Sequence, residues 1–131
     1  MESRQKRWAT ERALVSVVDD DASVRESLPD LLKEFGFEAR AFSSAEEFLS
    51  SDWVNRTRCL ILDIAMPDMS GLDLQRELRL QGQTIPIIFI TAQTDGTVRE
   101  RAFEQGAVSF LLKPFSDTAL LAAVKAALRT S

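Results

Sequence analysis

Four short apolar runs in this chain of 131 residues each give way to a side chain able to do chemistry. Residues 14–18 lead into Asp19, Asp20 and Asp21; 59–62 into Asp63; 85–90 into Thr91; and 109–112 into Lys113 and Pro114. Carboxylates a few ångströms apart repel, so some take up protons or a cation comes between them. An all-oxygen set selects a hard ion such as Mg2+, which takes one or two carboxylates, several waters and a phosphate oxygen. The metal and the Lys113 ammonium would neutralise phosphoryl charge, the Thr91 hydroxyl would bond a phosphoryl oxygen, and Asp63 would be a carboxylate nucleophile toward phosphorus. Taken singly, each group has a plainer reading. A run of Asp is a common helix N-cap, Asp63 is loop polarity, Thr91 is turn chemistry and Lys113-Pro114 is a strand exit. The chemistry requires all of them on one rim.

The elements that could assemble such a rim are legible in the periodicity. Residues 14–18, 39–42, 59–62, 85–90 and 109–112 are short, rich in Val, Ile, Leu or Phe, and bounded by turn formers, which predicts five strands. CLIL and IPIIFI do not alternate with polar residues, as expected of strands covered on both faces. Val24, Leu28, Leu31, Leu32 and Phe35 keep helical spacing up to Gly36. Ser43 and Ser44 stand three residues before Glu46 and Glu47, a capping box for a short helix through Leu49. Further helices are predicted over 72–81, 97–105 and 118–129, closed by Gly82 and Gly106 and, for the last, opened by Ser116 or Asp117. Strand and helix alternate five times. That order implies a doubly wound α/β fold with a five-stranded parallel sheet in the flavodoxin-like order 2-1-3-4-5, whose sites lie outside the carboxyl ends of the strands. In that order the first and third strands are adjacent, so Asp19, Asp20 and Asp63 converge, with Thr91 and Lys113 on the same rim.

Composition narrows the chemistry further. There is no His, which excludes imidazole-based nucleophilic catalysis, imidazole zinc sites and a phosphohistidine on this chain. The single Cys59 cannot form an internal disulfide, which favours a reducing compartment. No apolar stretch approaches a membrane span, and residues 1–12 are polar and basic rather than a signal peptide, so the expected location is the cytoplasm. With 16 Lys plus Arg against 20 Asp plus Glu, the chain is acidic overall; residues 1–12 carry +2, leaving the other 119 residues at −6. An acidic domain is a poor direct ligand for nucleic acid. Residues 1–12 read as a polar tail and 13–131 as one domain.

The segments VVDDDASVRESL, LILDIAMPDMSG and GAVSFLLKPF resemble the receiver domain of two-component response regulators over about residues 14–128, with Thr91 28 and Lys113 50 residues after Asp63. Among receivers they look most similar to FixJ-like regulators, whose output is a LuxR-type helix-turn-helix domain. The resemblance implies a phosphoacceptor role for Asp63, direct Mg2+ binding by Asp20, Asp63 and the backbone carbonyl of Ala65, and Mg2+ binding through water by Asp19. It implies that Lys113 pairs with the phosphoryl group, that Thr91 moves toward it, and that Phe110 turns inward as the switch aromatic. It also implies a cis Lys113–Pro114 bond. The donor would be a phosphohistidine on a sensor histidine kinase or phosphotransfer protein, which gives the missing His a place on another chain.

The output stays open between a DNA-binding domain beyond Ser131 and a stand-alone receiver acting through protein contacts or a phosphorelay. An aspartate-nucleophile phosphatase is the enzyme reading, disfavoured because such enzymes carry a second Asp where this chain has Ala65. The five glycines form neither a Walker loop nor G-x-G-x-x-G. In the last helix Leu120, Leu121, Val124 and Leu128 are expected to face inward and Ala122, Ala123, Ala126 and Ala127 outward. This predicts a weakly charged surface of the fourth helix, fifth strand and fifth helix that forms a homodimer on phosphorylation.

Overall fold

The computed structural model describes residues 12–92 and 95–130. The strands are β1 Leu14–Val18, β2 Glu38–Phe42, β3 Cys59–Asp63, β4 Ile87–Thr91 and β5 Ser109–Leu112. The helices are α1 Ala22–Glu34, α2 Ala45–Leu49, α3 Gly71–Leu80, α4 Gly96–Glu104 and α5 Asp117–Thr130, with a 3-10 turn at Val54–Arg56. All strand pairs are parallel, as the strand and helix alternation implies, and the sheet has the expected order β2-β1-β3-β4-β5. The polar tail expected over 1–12 lies outside the described residues except for Arg12, which is exposed. Among the described residues no helix is long and apolar enough to cross a membrane.

Side chains of successive strand residues point to opposite faces, and each face has its own core. Val18, Leu60, Leu62 and Phe89 pack against Phe48 of α2, Leu74 and Leu78 of α3 and Ala102 of α4. Val15, Val17, Ile61, Ile88 and Ile90 pack against Leu28 and Leu32 of α1 and Leu120 and Val124 of α5. The uninterrupted apolar runs of β3 and β4 follow from this double cover, since every residue of those strands is buried, as is every residue of β1, where Ser16 alone is polar.

Some sequence expectations need correction. The fourth strand begins at Ile87 rather than at residue 85 and runs through Thr91. Pro86 has no N–H to offer a neighbour, so it serves as the entry to the strand, its carbonyl accepting from Leu60 N–H at 2.9 Å. The third strand reaches Asp63, which pairs with Ile90. In α5, Ala123 and Ala127 face the core, at 7% and 0% exposure, rather than solvent. With Leu120 and Val124 they form an i, i+3, i+4, i+7 stripe, and their small side chains let the helix lie close on the sheet. Of the outward set only Ala122 is exposed and Ala126 is half-buried.

Candidate functional site

The three acids after β1 do three different things. The Asp19 N–H donates to Phe42 O at 3.1 Å, so pairing with β2 continues one residue past Val18 and fixes the Asp19 backbone. Arg25 of α1 holds the other end of that unit, donating to Asp19 O at 3.0 Å. The Asp19 side chain is wholly buried; Oδ1 accepts the Asp21 N–H and Oδ2 accepts Lys113 Nζ, each at 2.9 Å. Asp20 is exposed but reaches the same rim. Asp21 is the N-cap of α1, its Oδ1 accepting the Ser23 N–H at 2.9 Å. The plain reading of the Asp run therefore holds for Asp21 alone.

Asp63 closes β3 at 5% exposure. Each of Asp19, Asp20 and Asp63 offers a carboxylate oxygen within 4.8 Å of the other two. Lys113 Nζ lies 3.9 Å from Asp63 Oδ1, so one ammonium bridges the two buried acids. Burial first, and then the charge of Asp19, push Asp63 up to about 7 from the ordinary 3.8, against the pull of Lys113. Burial also works against the charge of Lys113, but its hydrogen bond and attraction to Asp19 and the charge of Asp63 hold it above its usual range. Lys113 is aimed by the sheet: its N–H donates to Thr91 O at 2.8 Å as β5 leaves the end of β4. The Lys113–Pro114 bond is cis, as expected. Thr91 is fully buried and follows Ile90, the residue paired with Asp63.

Ala65, two residues past Asp63, is exposed in the loop before α3. That loop is drawn tight by Gly71 N–H donating to Ile64 O at 2.9 Å. A methyl at Gly71 would collide with the Asp63 carbonyl oxygen and come within 3.0 Å of Asp63 C and Ile64 Cα. Only glycine lets α3 start this close to the strand that carries the candidate acceptor. Phe110 of β5 is half-buried, with its ring centroid 6.4 Å from those of both Phe89 and Phe103. With Arg99 and Phe115 it lines a cleft of about 520 Å³ between the starts of α4 and α5.

Asp19, Asp20, Asp63 and Lys113 are thus brought together, Thr91 and the Ala65 loop edge the same rim, and Phe110 stands one strand away. Sequence reasoning missed Arg25 and Gly71. The first carried no local signal, since its partner is a backbone carbonyl six positions back. The second was marked by Ser70 and Asp73, which form a capping box that starts α3 at Gly71. Three clustered carboxylates and no nitrogen or sulfur donor make an oxygen-only set that fits a hard divalent cation.

Residues 15–125 match the response regulator receiver domain family. Nodulation protein W of Bradyrhizobium diazoefficiens is 50% identical over 119 residues, which are 91% of this chain and 52% of that protein. The transcriptional regulatory protein FixJ of Azorhizobium caulinodans is 40% identical over 117 residues, 89% of this chain and 56% of that protein. The crystal structure of FixJ-N aligns with a TM-score of 0.83 at 37% identity, covering 93% of this chain and 98% of that one. The chain spans about half the length of the curated relatives it matches. A family match that begins in β1, ends in α5 and takes in every residue of the acidic rim shows that the chain belongs to the response regulator receiver domain family.

Proposed function

We propose that this receiver domain accepts a phosphoryl group on Asp63 from a phosphohistidine of a sensor kinase or phosphotransfer protein, and that the change is read on the surface of α4, β5 and α5. The observation that carries this reading is the Asp63 carboxylate itself, nearly buried at a strand end, 3.9 Å from an ammonium and grouped with two further acids. A carboxylate oxygen of Asp63 forms the new bond to phosphorus as the P–N bond breaks, and the leaving imidazole takes up a proton. Lys113 faces the transferred group and offsets its charge, and the Thr91 hydroxyl hydrogen-bonds a phosphoryl oxygen. Asp20, Asp63 and the Ala65 carbonyl would hold Mg2+, with Asp19 acting through water; when bound, the ion supplies positive charge against the phosphoryl oxygens. Phe110 turns as Thr91 moves.

Beyond its own phosphorylation and dephosphorylation the domain performs no turnover, because Ala65 stands where a general acid would be needed. Its relatives include a named transcriptional regulator of about twice its aligned length, which supports a cytoplasmic regulator whose DNA contacts are made by a separate output domain. Phe103 and Leu112, 39% and 49% exposed, supply apolar area for phosphorylation-dependent homodimerisation on the α4, β5 and α5 side. Incubation with acetyl phosphate and Mg2+ followed by intact-mass measurement tests the chemistry. An adduct of roughly 80 Da should form on the parent protein and be absent from Asp63→Asn or after chelation; persistence of the adduct in either case would overturn the assignment.

A further inference from the structure

Asp20 is the exposed member of the acidic rim, and its side chain has no anchor of its own. It makes no hydrogen bond or ion pair with any described residue, yet one of its carboxylate oxygens lies within 4.8 Å of oxygens of Asp19 and Asp63. What aims it is therefore the backbone. Asp20 stands between Asp19, whose N–H donates to Phe42 O at 3.1 Å, and Asp21, whose N–H donates to Asp19 Oδ1 at 2.9 Å. The peptide that joins Asp19 to Asp20 is held by Arg25, whose Nη1 donates to Asp19 O at 3.0 Å. A peptide unit is planar, so a grip on that oxygen sets the direction in which the Asp20 Cα leaves it.

Arg25 is half-buried near the start of α1. Its backbone N–H donates to Asp21 O at 3.2 Å, so one residue holds both flanks of Asp20. With acids at 19, 20 and 21, a guanidinium so close would ordinarily pair with a carboxylate through two parallel bonds. Arg25 pairs with no carboxylate among the described residues and gives its charged N–H to a backbone carbonyl instead. Neutralising the buried acids falls to Lys113. Arg25 is thereby left to fix the shape of the loop between β1 and α1.

We propose that Arg25 is a positioning residue for phosphoryl transfer: its grip on Asp19 O orients the peptide from which Asp20 projects, and so aims the Asp20 carboxylate to hold a divalent cation beside Asp63. The inference rests on the phosphoacceptor reading and adds to it a residue outside the acidic rim. Removing a group that orients a ligand from behind ordinarily weakens metal binding by roughly 10- to 100-fold. A guanidinium acting through its charge alone would do the opposite, because it repels a cation and its loss would tighten binding. The two roles differ in sign.

Titration of the 15N-labelled chain with Mg2+, followed at the Asp20 and Asp21 N–H in proton–nitrogen correlation spectra, tests the proposal. The parent should give a saturable shift. Arg25→Met, which keeps an apolar stem but no donor, should need about tenfold more Mg2+ for the same shift. Arg79→Met, which removes an exposed charge from α3, should titrate like the parent. Arg25→Lys keeps a cation able to donate and should bind Mg2+ more tightly than Arg25→Met. Adduct formation from acetyl phosphate gives a second reading: Arg25→Met should be slow at low Mg2+ and approach the parent rate at saturating Mg2+. Should Arg25→Met not fold, Arg25→Gln, which also lacks the charge, decides on the same two readings. Unchanged or tighter Mg2+ binding by the uncharged variant, an equal loss in Arg79→Met, no recovery in Arg25→Lys, or a rate deficit that saturating Mg2+ leaves in place would each overturn the role of Arg25 and leave the phosphoacceptor reading standing. A parent without a saturable shift would overturn the metal site itself, and this inference with it.

Discussion

Replacing Asp63 with asparagine keeps the side chain's shape at the end of β3 and removes one charge from the acidic rim. In metal-free buffer the variant is expected to be more stable than the parent at about pH 8. The reason is the crowding: burial and the neighbouring acids push Asp63 to about 7 from 3.8, so the folded chain holds this proton more tightly than the unfolded chain does. The stabilisation from that proton is complete below the unfolded value and is lost as pH rises through the folded one, so the cost of ionising Asp63 grows between about pH 4 and pH 7 and is constant above. A shift of three units corresponds to about 4 kcal/mol at ~1.4 kcal/mol per unit. Part of this repulsion belongs to groups that can relax, and the amide still has to be buried, so the expected gain is about 1–2 kcal/mol. Urea unfolding with chelator present, at about pH 8 and again at about pH 5, reads it directly. The variant's midpoint should lie higher at the alkaline pH and the gap should shrink at the acidic one. Added Mg2+ should then stabilise the parent and do little for the variant, since an ion that binds only the folded state raises its stability by mass action. A variant no more stable than the parent in chelator at alkaline pH would refute the argument from crowding.

Other perturbations probe the supports of the rim. Gly71→Ala drives a methyl into the backbone of Asp63 and should cost about 3 kcal/mol in urea unfolding and slow adduct formation from acetyl phosphate. Lys113→Met strands Asp19, wholly buried, without its cation; a loss of about 3 kcal/mol is expected, along with loss of phosphorylation. Cys59 sits wholly buried in β3 with its thiol pushed up to about 12 by burial, so a thiol reagent should label it only in denaturant; labelling of the native chain at the unfolded rate would contradict the buried position. Ala127→Leu should destabilise by about 2 kcal/mol, because that alanine faces the sheet; a neutral result would restore the outward reading of α5.

Sheet order and the clustering of the rim's side chains were legible because both rest on local patterns with strong periods. Apolar runs without alternation marked β3 and β4 as doubly covered, and the residue that ends each run fell on the carboxyl rim by topology alone. Where the reading failed, the deciding contact is long-range or depends on size. Ala123 and Ala127 look like surface residues chosen for propensity, yet they are core because α5 needs small residues to approach Ile61 and Ile88. Residues 85 and 86 continue the apolar run but cannot continue the ladder, since a proline offers no donor. Gln75 reads as the polar side of α3, and only its contact with Ala102, 27 positions away, reveals it as buried. Arg25 gives no sign of serving Asp19 until α1 is folded back over the sheet.

Lys113 is shared between two buried acids, and the two do not hold it equally. It is 2.9 Å from Asp19 and 3.9 Å from Asp63, so it rests nearer the acid that is not the proposed acceptor. Asp19 cannot follow it elsewhere: its N–H is tied to β2, its carbonyl to Arg25 and its carboxylate to the Asp21 N–H. A phosphoryl group on Asp63 would bring more negative charge to the looser side of this bridge, and the mobile partner in the contest is the lysine. Lys113 in turn directly follows Leu112, in the strand that carries Phe110 and opposite the end of β4 that carries Thr91. A redistribution of charge among three carboxylates therefore reaches β5 and the start of α5 through a side chain already placed between them. Under the proposed function, this path would join the acid cluster at the carboxyl end of the sheet to the apolar surface around Phe103 and Leu112.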